Sequence, residues 1–204
     1  MALSLIIFQF AVFIVSVIVH EISHGAVAYL LGDETAYRMG RLTMNPVSHI
    51  DPFGSIILPL VLATPLLFGI QPIIVGWAKP VPYNPNNLKN PKSGAGLIAW
   101  AGPASNFLIA FVFAGLLAFI PVGTQIGVAF HYIILINLML AVFNLVPIPP
   151  LDGSKILAAF LPHYSPIIAF LERNSMLLLL AFLFFGLSAV QVVVGIIYRL
   201  LIGI

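Results

Sequence analysis

A chain of 204 residues that is 61% hydrophobic and 7% charged lies far from the soluble average of about 45–50% apolar and about 25% charged. These figures exclude an ordinary soluble domain and predict one polytopic integral membrane domain with the lipid bilayer as its surroundings. The net charge of +2 comes from few residues, without a basic run or aromatic platform, so no nucleic-acid partner is expected. The absence of cysteine leaves His, Asp and Glu as the side chains able to bind a metal.

Ala2–Leu31 reads as the first spanning helix, ended by Gly32-Asp33-Glu34. No Lys or Arg precedes Arg38, so this helix is expected to be retained rather than cleaved as a signal peptide. Ala36–Asp51 is too polar to span and reads as short extended strands and turns. Phe53–Ile70 is apolar but interrupted by Pro59 and Pro65, which favours a re-entrant segment over a full crossing. Gln71–Lys92, rich in proline and asparagine, reads as extended or turn structure. Ser93–Ile120 and Gly127–Val146 follow as spanning helices. After Pro147-Ile148-Pro149-Pro150-Leu151-Asp152-Gly153 come a short apolar segment to Leu161, a polar patch at Glu172-Arg173-Asn174, and a last span from about Met176 to Ile204. The expected fold is all-α, with about five spanning helices, a re-entrant segment and short extended strands on the cytoplasmic side. Residues 1–204 form one domain, its core at about 2–161 and a C-terminal helix at about 176–204.

The most informative local pattern is His20-Glu21-Ile22-Ser23-His24 inside the first apolar run. H-E-x-x-H on a helix places two imidazoles one turn apart on one face, where both reach one Zn²⁺, with a carboxylate beside them as general base. Ionisable groups at membrane depth cost roughly 2.5–3.5 kcal/mol on insertion scales and usually carry function. A catalytic zinc takes three protein ligands, and His49, Asp51, His131, Asp152, His163 and Glu172 are the candidates for the third. Asp152 stands out because prolines break the helix before it, as happens where backbone lines a site.

Topology favours the same choice. If 53–70 turns back, Asp152 and the end of the first helix share one face. That face also gathers Arg38, Arg41, Lys79, Lys89, Lys92, Lys155 and Arg173, seven of the eight basic residues. By the positive-inside rule it is cytoplasmic.

These residues resemble the site-2 protease family of intramembrane zinc metalloproteases. The resemblance rests on the H-E-x-x-H at 20–24 and on Asn144-Leu145-Val146-Pro147-Ile148-Pro149-Pro150-Leu151-Asp152-Gly153, which fits N-x-x-P-x-P-x-L-D-G. Further similarity lies in Asn45–Pro52, Gly76–Pro82 and Ala101–Asn106, and the whole is similar to the compact branch without a PDZ or CBS domain. The resemblance implies one Zn²⁺ held by His20, His24 and Asp152, Glu21 as catalytic acid/base, and Asn144 as a substrate-positioning or oxyanion-stabilising residue. It also implies cleavage of transmembrane protein substrates in a multi-pass cell-membrane protein. The polar segments at 36–52 and 71–92 then suggest strand addition to an unwound substrate, or simple capping of the inner face. His49 is expected to anchor its loop, His131 and His163 to pack or sit at the interface, and Asp51 and Asn106 to satisfy backbone. The small residues Gly94, Gly96, Ala99, Ala101 and Gly102 read as close helix packing. Two alternatives share the metal site: a divalent-metal transporter or metal-binding membrane protein, and a membrane zinc peptidase acting on surface peptides.

Overall fold

The computed structural model describes residues 2–57, 78–121, 123–162 and 165–203. Helix α1, Ala2–Leu30, is 29 residues long, well beyond the roughly 20 needed to cross a hydrocarbon core. It ends at Gly32, whose φ of 102° is a conformation open to glycine at little cost. The next residue, Asp33, is fully buried and accepts from Thr35 N–H and Oγ, Asn84 N–H and Asn87 Nδ2. Burial alone would raise its pKa, but these hydrogen bonds outweigh that and hold the carboxyl below its ordinary value. Asp33 thereby fastens the end of α1 to the loop at 84–87.

The segment after α1 is helical and turned rather than extended. A one-turn helix, α2 (Thr35–Arg38), is followed by 3-10 turns at Pro46–His49 and Pro85–Asn87. Both 3-10 turns start on an Asn whose side chain accepts an N–H two residues on, with proline next, a pairing that nucleates helical turns. Among the described residues there is no strand, which corrects the expectation of cytoplasmic strands wherever it falls on them. Of the expected re-entrant segment, 53–57 belongs to a wide helical turn, Pro52–Ile57, and 58–70 lies outside the described residues, as does 71–77.

Helices α3 (Pro91–Leu117) and α4 (Gln125–Asn144) form the centre of the bundle. Proline at N1 opens α3, and the Thr124 side chain caps α4 by accepting Gly127 N–H. α3 packs on α4, on α1 and on α5 (Asp152–Phe160). Then come α6 (Pro166–Arg173), α7 (Ser175–Phe185) and α8 (Leu187–Ile202). Ala110 and Ala114 of α3, Ile134 and Leu138 of α4, and Val190 and Val194 of α8 form one buried apolar cluster. A second, of Ala28, Leu88 and Ile98, lies toward the other end.

Large apolar side chains cover the outside; Phe119 is 84% exposed and Phe185 83%, the surface of a protein solvated by lipid. Three helices, α1, α3 and α4, are long and apolar enough to cross a membrane, or four if the pair α6–α7, bent by 76°, is one broken span. The expectation of about five spans therefore exceeds what the described residues supply. The predicted last span is divided at Gly186, where the Phe182 ring occupies the volume a Cβ would need. The bend before it falls at Asn174, whose amide donates to Phe170 O at 2.8 Å and caps α6.

Candidate metal centre

His20, Glu21 and His24 lie in the second half of α1. Their four-residue spacing stacks the two imidazoles on one face, edge to face with centroids 4.6 Å apart. Asp152 reaches them from a tight connection after α4. Ile148 N–H donates to Val146 O at 2.8 Å and Leu151 N–H to Ile148 O at 2.9 Å, and Asp152 is the first residue of α5. A side chain at Gly153 would overlap the backbone of Leu145 and Val146, so the Asp-Gly pair is what lets the chain double back so closely. Asp152 Oδ2 then lies 3.1 Å from Nε2 of each histidine, and the two Nε2 atoms are 3.0 Å apart.

The partners of the other ring nitrogens fix what these atoms are. His24 Nδ1 is 2.6 Å from the Ile98 carbonyl, which only accepts. His20 Nδ1 is 2.7 Å from Asn106 Oδ1, whose amide nitrogen is turned to Asn137 Oδ1 at 2.9 Å and Ser16 O at 3.3 Å. Both Nδ1 atoms therefore donate, and in neutral imidazoles both Nε2 atoms present lone pairs. Two lone pairs and a carboxylate oxygen converging in a buried site repel one another unless a cation lies among them. Tetrahedral zinc with bonds of about 2.0–2.1 Å separates its ligands by about 3.3–3.4 Å, close to the spacing found. Among the described residues these three side chains form the one such cluster, with ligand atoms all within 4.8 Å of one another.

Gly102 of α3 completes the cradle. A Cβ there would overlap His24 Nε2 and stand 2.6 Å from His20 Nε2, so α3 approaches the imidazoles at van der Waals distance only because this residue is glycine. The small-residue stripe is thus close packing, as expected, with two kinds of neighbour: at Gly96 it is Ala159 of α5, at Gly102 the histidines.

Two predicted residues make hydrogen bonds outside the three-residue cluster. Glu21 Oε2 accepts the Val81 N–H at 2.8 Å. Asn144, on the last turn of α4, donates Nδ2 to Leu140 O of its own helix at 2.9 Å. His49 anchors its loop, with Nε2 2.9 Å from Thr43 O, and His131 is bonded to Tyr198 between α4 and α8; His163 lies outside the described residues. Asn106 does satisfy backbone, as expected, through the Ser16 carbonyl, but fully buried in α3 it also orients His20 through its Oδ1. Asn137 and Ser16 were not singled out from the sequence, yet Asn137 Nδ2 donates to Ser16 Oγ at 3.0 Å and holds the Asn106 amide. Asn106→Ala is expected to lower zinc affinity about 10–100-fold, the usual effect of removing a histidine's outer partner; chelator competition on the purified protein measures it.

Apolar spanning helices around a buried His/His/Asp acceptor set define a membrane metalloprotein with the layout of a hydrolytic centre. Residues 122–186 match Peptidase family M50. The chain is 38% identical over 169 residues to YwhC of Bacillus subtilis, covering 78% of this chain and 72% of the relative. It is 34% identical to MJ0611 of Methanocaldococcus jannaschii, covering 74% and 72%, and 30% identical to Rip2 of Mycolicibacterium smegmatis, covering 75% and 56%. All three carry "zinc metalloprotease" in their names. No solved structure matches the chain significantly. The chain belongs to peptidase family M50, the site-2 protease family; it is a membrane zinc metalloprotease, and its cofactor is Zn²⁺.

Proposed function

We propose that this protein is an intramembrane endopeptidase that hydrolyses peptide bonds in or near transmembrane segments of membrane proteins, as in regulated intramembrane proteolysis. The observation that carries the reading is the position of the acceptor cluster on α1, a helix long and apolar enough to cross a membrane, with His20 only 6% exposed. The 204 residues act as one integral membrane metalloprotease domain, multi-pass in the cell membrane. The active site lies toward the cytoplasmic side, where the basic residues gather.

In this reading Nε2 of His20, Nε2 of His24 and Oδ2 of Asp152 hold the zinc. When bound, zinc supplies Lewis acidity that acidifies water and polarises a carbonyl. Glu21, with Oε2 held by Val81 N–H, takes a proton from water on its free oxygen and returns it to the leaving amine. Asn144 Nδ2 carries two N–H groups. One is spent on Leu140 O, and the second is directed to substrate backbone or the developing oxyanion.

The test is co-expression with tagged single-span proteins, followed by mass mapping of the products. A cut within or beside the span, lost on zinc chelation and regained on zinc return, is the expected result. Cuts confined to surface peptides would make it an interfacial peptidase. Metal flux into vesicles without any cleavage would make it a transporter.

A further inference from the structure

Arg41 is 6% exposed, a charge buried beside the site that the mechanism above does not use. Its Nη2 donates to Lys79 O at 2.8 Å and to Pro80 O at 3.3 Å, and its buried Nε has no partner among the described residues. A guanidinium placed where part of its donor set goes unmet is costly, so its two bonds to one short backbone segment call for an explanation.

That segment is built around a single donor. Pro80 and Pro82 have no N–H, and Lys79 N–H is committed to His49 O at 2.9 Å. Between 79 and 82 this leaves Val81 N–H, which is the group that holds Glu21 Oε2. With its amides committed or missing and two carbonyls bound to Arg41, the segment has no free donor there for strand addition to a substrate. The Val81 side chain, 7% exposed, seats on α1 at Gly25, one turn beyond Glu21. A Cβ at Gly25 would stand 2.8 Å from Val81 Cγ1 and 2.5 Å from Leu42 Cδ2. The residue after Arg41 and the residue after Pro80 thus dock on the same bare patch of the catalytic helix.

We infer that Arg41 is a positioning residue for Glu21, acting through the strap Lys79–Pro82: Arg41 fixes the strap carbonyls, and the strap presents its one N–H to the carboxylate. This rests on the reading of Glu21 as the acid/base. Among the described residues the guanidinium bonds to the strap carbonyls and not to His20, His24 or Asp152. Its role is to keep the carboxylate aimed, where a misplacement of about 1 Å costs on the order of 10²-fold in rate.

The experiment compares Arg41→Ala, Val81→Pro and the double variant with Glu21→Gln on one single-span substrate in proteoliposomes, with zinc content measured on each sample. Val81→Pro deletes the donor itself and leaves Arg41 in place. Each single variant is expected to lose about tenfold or more in kcat, with KM within about twofold and zinc content unchanged. The double variant should lose no more than the worse single one, because both break the same link. Additive losses, unchanged kcat in either single variant, or zinc lost in parallel with activity would overturn the inference. If Glu21→Gln itself stayed active, the acid/base assignment would fall instead, a result separate from any behaviour of the strap.

Discussion

Glu21→Gln is expected to reduce kcat by about 10²–10⁴-fold, the range that general acid–base catalysis contributes, while the purified protein keeps its zinc. The amide has nearly the shape of the carboxylate and can still accept the Val81 N–H, so the helix, the strap and the three acceptor atoms stay as they are. What it lacks is the basicity to take a proton from water and the proton to give to the leaving amine. KM should change little, because the lost interaction belongs to the chemical step rather than to ground-state binding. Kinetics on a single-span substrate, with metal analysis of the same sample, check both halves. Full activity in the variant would remove Glu21 from the mechanism, and loss of zinc would make it a structural residue of the centre.

Gly102→Ala is expected to destroy metal binding outright. One added methyl would overlap His24 Nε2 and crowd His20 Nε2. Those rings cannot simply rotate, since Ile98 O and Asn106 Oδ1 hold their far nitrogens. Either a ring leaves its place or α3 moves off α1, and in both cases a ligand atom is lost. The fall in zinc affinity should exceed the about 10–100-fold assigned to an outer partner, and proteolysis should go with it. The helix itself gains from the change, by roughly 0.8–1.0 kcal/mol of intrinsic propensity, so a poorly formed α3 would not explain the result. An added Cβ at Gly115 on the same helix would meet nothing within 4 Å among the described residues, and Gly115→Ala is the matched control, expected to retain zinc and activity. Normal zinc content in Gly102→Ala would mean that the cradle is looser than described.

The parts of the centre that could be read from the sequence are those governed by a spacing rule. Two histidines four apart on a helix must share a face, and a proline-broken helix followed by Asp-Gly marks backbone that lines something. The structure brings Asp152 to that face. Asn106, Asn137 and Ser16 obey no such rule. Their bonds span sequence separations of 31 to 121 residues, and only the packing of α1, α3 and α4 brings them together. Gly102 looked like any small residue in a packed helix, because glycine's contribution here is the absence of an atom. Val81 could not be found from its side chain, since the group that reaches Glu21 is backbone.

The fold was legible in its long apolar helices and less so between them. At 36–51 a segment too polar to span suggested short strands and turns, but Asp33 and Asn45 each accept an N–H two residues on, a local bonding that favours turns over extended chain. At 176–204 continuous hydrophobicity suggested one span, yet the helix is divided at Gly186, where the missing Cβ leaves room for the Phe182 ring.

The hydrogen bonds His20–Asn106, Asn106–Asn137 and Asn137–Ser16 close a triangle from α1 to α3, from α3 to α4, and back to α1. In a bilayer, apolar side chains gain little by exchanging lipid for protein. Helices there associate through close packing and polar bonds, the latter averaging about 0.6 kcal/mol and reaching about 1.7. The groups that aim the first histidine are therefore also an adhesive of the bundle. The orientation of the His20 ring and the docking of α1, α3 and α4 thus rest on the same side chains.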